Sequence, residues 1–199
     1  GSLSAENQII AFEASINTSK EFKANLALND FKNIKIENLA VTSKENKFLK
    51  FNESVKDWES SLTNNSFISS GSQKIKTTKI DYILKNQNLN KYSLFIKLDI
   101  EGNEFDAIKG GLKFIKKYSP FIIIELSKYN LHNNKENLNF LDYFLQKFDY
   151  SIYTTNKQKI KSTLILKILK NLDKSHQTIG NYYLIKNGSK IENIFLNHE

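Results

Sequence analysis

The chain contains no cysteine, no methionine and one proline in 199 residues, and every one of its 29 basic residues is lysine. Without cysteine there are no disulfides and no thiolate metal sites, and thiols say nothing of the redox compartment. Without arginine there is no guanidinium fork to grip phosphate or guanine through two parallel bonds, the commonest device of specific nucleic-acid readers. The formal net charge of +8 is then read as a generally basic, solvated surface, because the lysines are spread along the chain and form no block. No apolar run approaches the roughly 20 residues that span a bilayer, and no charged-then-apolar leader opens the chain. Cytoplasm is the default location. Lacking methionine, residue 1 is not an untrimmed translation start; Gly1-Ser2 is read as a cloning scar, or the chain as a processed or incomplete piece of a longer protein.

What is present is the composition of a globular protein: 40% hydrophobic, 12% aromatic and 25% charged residues. The length suits one substantial core and not two comfortable ones, so residues 1–199 are read as one domain. The pattern alternates between the two periods. Gln8 to Glu13 is read as a strand, Thr18 to Leu28 as an amphipathic helix closed by Asn29-Asp30, and Asn33 to Val41 as a second strand. Strand, helix and strand over some thirty residues make a βαβ unit and imply parallel pairing. Lys47 to Phe51 is a further strand. Residues 57–72, rich in Ser and Asn, have no sustained period and are expected to form a lid or acceptor loop carrying Trp58. Lys74 to Thr78 returns as a strand, and Asp81 opens a short helix.

Ser93 to Ile100 is an apolar strand expected to be covered on both faces, and a helix from Asn103 to about Lys117 is expected to break at Gly110-Gly111. Pro120 precedes a strand to Leu126 ending at Glu125; Asn137 to Phe148 is strongly amphipathic, Tyr150 to Thr154 a strand, Ile160 to Leu172 helical and Gly180 to Ile185 a last strand.

Three buried strands thus end on carboxylates: Glu13, Asp99 and Glu125. In open α/β sheets the carboxyl ends of strands are where ligands bind, which favours a site along one sheet edge. Asp99 and Glu101 beside Gly102 are the densest case. They also suit a helix start near Asn103, where acidic side chains cap, and both uses stay open.

At these residues the chain resembles the FkbM-type family of S-adenosylmethionine-dependent methyltransferases. The matching segments are Ile9 to Ala14, Asn25 to Asn29 with Asn38 to Val41, and the lysine, acidic pair, glycine and glutamate of Ile96 to Glu104. The resemblance implies a class I methyltransferase fold of the α/β class: a Rossmann-like, mostly parallel sheet with helices on both faces. It implies that Glu13 accepts both ribose hydroxyls of S-adenosylmethionine, a task suited to an acceptor-only group. Ala14 stands where the family usually has proline; Asn38 and Ala40 fall where the third strand approaches the adenine. Asp99 lies near the methyl donor and would take or orient the acceptor's hydroxyl proton, with Glu101 sharing the role, orienting the loop or adding to a divalent-metal site. No metal is assigned. Glu125 and Trp58 are expected at the acceptor. His132, His176 and His198 are alternative bases. The family's first strand and glycine-rich loop should precede Ile9, where only eight residues stand, so a further 20 to 60 N-terminal residues are expected, roughly the size of a βα unit.

The function expected is O-methylation of a small-molecule or glycan hydroxyl. Two alternatives stand beside it: a noncatalytic domain that kept the sheet and lost the cofactor, and, from the charge, a nucleic-acid methyltransferase.

Overall fold

The computed structural model describes residues 7–54, 69–83, 85, 88–127, 135–165 and 178–197. Trp58, His132, His176, His198 and residues 57–68 of the expected lid lie outside them. The molecule divides into two compact units between Lys79 and Ile80.

The first unit opens with strand β1 (Ile9–Phe12), helix α1 (Ile16–Leu28) and strand β2 (Ile34–Glu37). β1 and β2 pair in parallel, from Ile9 beside Ile34 to Phe12 beside Glu37, which is the expected βαβ unit. The helix starts where it does because Ser15 is its N-cap: the Ser15 hydroxyl accepts from the Thr18 N–H at 3.2 Å. It stops at Asn29, whose side-chain amide donates to the Asn25 carbonyl, and the next residue, Asp30, turns to φ +51°.

Asn33 to Val41 is two strands, not the single one expected. After β2 the chain breaks at Asn38 and resumes as β3 (Ala40–Val41) in another sheet, in the order β3, β5, β4 with β4 (Phe48–Ser54) and β5 (Ser69–Thr78). Asn38 explains the break. Its side-chain amide donates to the carbonyls of Glu13 and Ala14 at 2.7 and 3.2 Å, and a residue spent on a turn's backbone leaves the strand ladder. β3 runs parallel to β5, and β4 antiparallel to it. Residues 69–72, expected to be irregular, therefore begin β5. Ala40, Phe51 and Ile75 form the core here, with Ala14 packed against them.

The second unit contains α2 (Ile80–Ile83), β6 (Phe95–Leu98), α3 (Glu104–Lys109), α4 (Leu112–Tyr118), β7 (Phe121–Ser127), α5 (Lys135–Phe148), β8 (Tyr150–Tyr153), β9 (Lys159–Ile160), β10 (Thr178–Lys186) and α6 (Lys190–Asn197). Its five strands take the order β6, β7, β10, β8, β9. The expectation of a mostly parallel sheet is corrected: β6 and β7 are parallel, whereas β10 is antiparallel to both neighbours and β9 to β8. β6 and β7 are joined by a helical crossover of the length parallel pairing needs, through α3 and α4. The segment from residue 160, expected to be helical, begins as β9, and only residues 162–165 of it are described as helix.

Period-two alternation sorts the sheet's side chains. Ile122, Ile124, Ile152 and Leu184 are fully buried on one face, where Phe144 of α5 meets Tyr150 at 5.2 Å between ring centres. Phe121, Tyr153 and Ile185 bury the other face beneath Ile191 and Phe195 of α6. The α6 helix had a legible start that the sequence reading passed over: Ser189 and Glu192 have capping-box spacing, and the Ser189 hydroxyl accepts from the Glu192 N–H at 3.1 Å. β6 is not covered on both faces as expected. It stands at the edge of its sheet with Phe95 65% exposed, and only Leu98 buried.

The expected break at Gly110-Gly111 separates α3 from α4. Gly111 is required by space: a Cβ there would sit 2.9 Å from the Ile80 Cβ. Gly111→Ala should therefore cost about 1–3 kcal/mol, the usual range for overpacking, read as a lower urea midpoint at unchanged slope.

Candidate functional site

The second unit brings together Asp99, Glu101 and Glu125, with one carboxylate oxygen from each lying within 4.8 Å of the others. The sheet register accounts for two of the three. Leu98 on β6 lies beside Ile124 on β7, so one step further Asp99 falls level with Glu125 on the same face. Lys97 shares that face, two residues before Asp99, and its ammonium pairs with the Asp99 carboxylate at 2.7 Å. Glu125 is not the strand end the sequence suggested. It lies within β7, level with Asn181 of β10, one residue past the last β6 pair at Ile124.

Glu101 joins the group because the loop turns back. Glu101 at φ +52° and Gly102 at φ +100° are consecutive residues in the left-handed region, open to glycine and strained for glutamate. Glu104 holds this turn. Its carboxylate, only 1% exposed, accepts from the N–H groups of Ile100 and Gly102 at 3.0 and 3.1 Å. Sequence reasoning placed Glu104 in the motif without giving it work; its spacing two residues after a glycine was the available signal. Asn103, between them, carries a buried side-chain nitrogen with no hydrogen-bond partner among the described residues. Asn103, the N-cap residue of α3, makes no side-chain cap hydrogen bond.

Burial pushes the Glu125 carboxyl up to about 7, and the negative charge and hydrogen bond of Asp99, then the charges of Glu101 and Glu104, push the same way. A carboxyl so placed is part protonated at neutral pH and can give or take a proton there. The three acids together stabilise positive charge nearby, and their hard oxygens are of the kind divalent cations prefer.

The first unit gathers the other sequence-predicted residues. One oxygen of Glu13 accepts from the Ser15 N–H at 2.7 Å. Burial raises its pKa above the ordinary carboxylate value, with the Ser15 and Ala14 N–H groups opposing. A carboxylate has about four lone-pair sites, so this bond leaves acceptor capacity for further donors. Asn38 holds the turn beneath it through the Glu13 and Ala14 carbonyls, while Ala40 sits in the core at 3% exposure. Glu13 ends a strand of the two-stranded sheet, and Asp99 and Glu125 belong to the five-stranded one, so the three do not tip one described sheet.

The fold is mixed α/β, and the acidic group stands where a strand meets its crossover helix, the end at which open α/β sheets bind ligands. The chain belongs to the FkbM methyltransferase family: the model of the methyltransferase FkbM domain matches residues 3–152. In fold the chain is similar to the crystal structure of methyltransferase FkbM from Methylobacillus flagellatus KT, at a TM-score of 0.50 and 18% identity. That likeness covers 89% of this chain and 36% of the other, so the chain spans about a third of that protein's length. No curated protein matches it significantly. No described helix is long and apolar enough to cross a membrane.

Glu125 fixes a pH dependence. Its folded pKa lies above the unfolded value, so between about 4.5 and 7 the folded state holds the extra proton and stability falls as pH rises. Glu125→Gln removes that loss. The variant should be more stable than the parent at pH 8 and show a flatter profile between pH 5 and 7, both read from urea midpoints.

Proposed function

We propose that this chain is the S-adenosylmethionine-dependent methyltransferase its family suggests, acting on a hydroxyl of a small molecule or glycan. The observation that carries the reading is the convergence of Asp99, Glu101 and Glu125 within 4.8 Å.

The residues present fit the cofactor's chemistry. Glu13 is a part-buried acceptor with capacity to spare, suited to ribose hydroxyls, and the orphaned Asn103 amide is a donor that a polar ligand atom would satisfy. Asn38 and Ala14 shape the turn beneath Glu13, and Ala40 contributes only backbone to any ligand. When bound, S-adenosylmethionine supplies an electrophilic methyl group on a cationic sulfur. Asp99 orients the acceptor hydroxyl and takes its proton. Lys97 pairs with the Asp99 carboxylate at 2.7 Å, while Glu125, its carboxyl pushed up to about 7, stores the proton taken. Glu101 adds negative charge that favours the cation. Trp58 and residues 57–72 are assigned to acceptor recognition, within a single domain spanning residues 1–199.

Two substitutions test the assignment in the full-length protein. Asp99→Asn should lower kcat by about 10²- to 10⁴-fold, the usual range for a positioned proton acceptor. Glu13→Ala should weaken S-adenosylmethionine by about 10- to 100-fold in calorimetry, the loss of hydrogen bonds to a charged group. Calorimetry that detects no binding to the unsubstituted protein would remove the enzyme reading.

A further inference from the structure

We propose that Glu104 is a positioning residue: its buried carboxylate sets the 99–102 turn so that Asp99 and Glu101 converge on Glu125. The proposal rests on the reading of these acids as the catalytic group.

Three observations lead to it. First, Glu104 is 1% exposed, and a carboxylate withdrawn from water is costly unless its oxygens are bonded. Second, two of its bonds are to loop backbone: the Ile100 and Gly102 N–H groups donate to one oxygen, Oε1, at 3.0 and 3.1 Å. They flank Glu101, so one atom gathers both ends of the residue that must turn. Third, Glu101 holds φ +52° without being glycine, a conformation that persists only where its surroundings enforce it. The Glu104 clamp is the enforcing contact. Because α3 begins at Glu104 and its Phe105, Ala107 and Ile108 are buried, the clamp is anchored on a packed helix and transmits its position to the loop.

Distance, not charge, is the operative property, and two substitutions separate them. Glu104→Gln keeps the length and one acceptor oxygen but removes the charge; Glu104→Asp keeps the charge but falls one methylene short. Hydrogen exchange of the Ile100 and Gly102 amides should stay slow in the parent and the Gln variant and quicken at least about 10-fold in Asp, as expected for local opening. The Glu125 carboxyl midpoint, followed by carbon NMR, should fall in Asp, where the Glu104 charge is retained and only the neighbours move away. In turnover, Asp should lower kcat about 10- to 100-fold with the cofactor KM little changed, and Gln should stay near the parent, because misplacement of about 1 Å costs on that order.

Fast exchange of both amides in the parent, or a Gln variant as impaired in kcat as Asp while its loop remains protected, would overturn the proposal. Should the Asp variant not fold, exchange in the parent and Gln proteins still decides it. A parent without methyl-transfer activity would defeat the catalytic reading, and the exchange and Glu125 titration would still report whether Glu104 sets the loop.

Discussion

One buried carboxylate, Glu104, holds the arrangement around which the second unit's acidic group is built. Burying a polar group is costly unless it is hydrogen-bonded, and two N–H donors of the turn bond this one. The exchange is mutual: the turn satisfies the acid, and the acid fixes the turn. Without it Glu101 would have no reason to hold a left-handed backbone, and the parallel register of β6 and β7 would bring only Asp99 beside Glu125. Burial first, and then the like charges of its neighbours, push the Glu125 carboxyl up to about 7.

The first unit uses the same device with the roles reversed. At the end of β1 it is the side-chain amide of Asn38 that donates to the carbonyls of Glu13 and Ala14, while Glu13 accepts from the Ser15 N–H. Donor and acceptor needs of one tight turn are met by two side chains from neighbouring strands. The following helix then starts from Ser15 as N-cap, so the carboxylate lies in a short segment bonded on every side. In both units a carboxylate follows a strand and precedes a helix, and a polar side chain bonded to backbone holds the turn between them.

Much of this was legible in the sequence because it depends on local periods and local chemistry. The βαβ unit of Ile9 to Glu37, the interrupted helices about Gly110-Gly111 and the Phe144 face of α5 follow from spacing alone. The grouping of Asp99 with Glu125 was legible only as two strand ends, since pairing register is a nonlocal property set by the crossover between them. What could not be read was the sense of β10: Gly180 to Ile185 is apolar in either direction, and nothing in its sequence says that it enters antiparallel between β7 and β8. Alternation also misled at Asn33 to Val41, where the apolar positions continue but a side-chain amide takes the chain into another sheet. Glu104 was visible as a motif member and not as a clamp, because its burial is a tertiary fact.

The charge distribution bears on what the site would accept. A net charge of +8 says that the surface is basic on average, and averages govern solubility and encounter, not recognition. Around Asp99 acidic groups gather: three carboxylates converge there, and the pair of Lys97 with Asp99 is exposed and therefore worth little. A phosphate brought there would meet like charge at short range, where screening by salt is weakest. On the reading proposed above, a neutral hydroxyl would pay no such penalty, and its proton would have acceptors waiting in the carboxylates of this group.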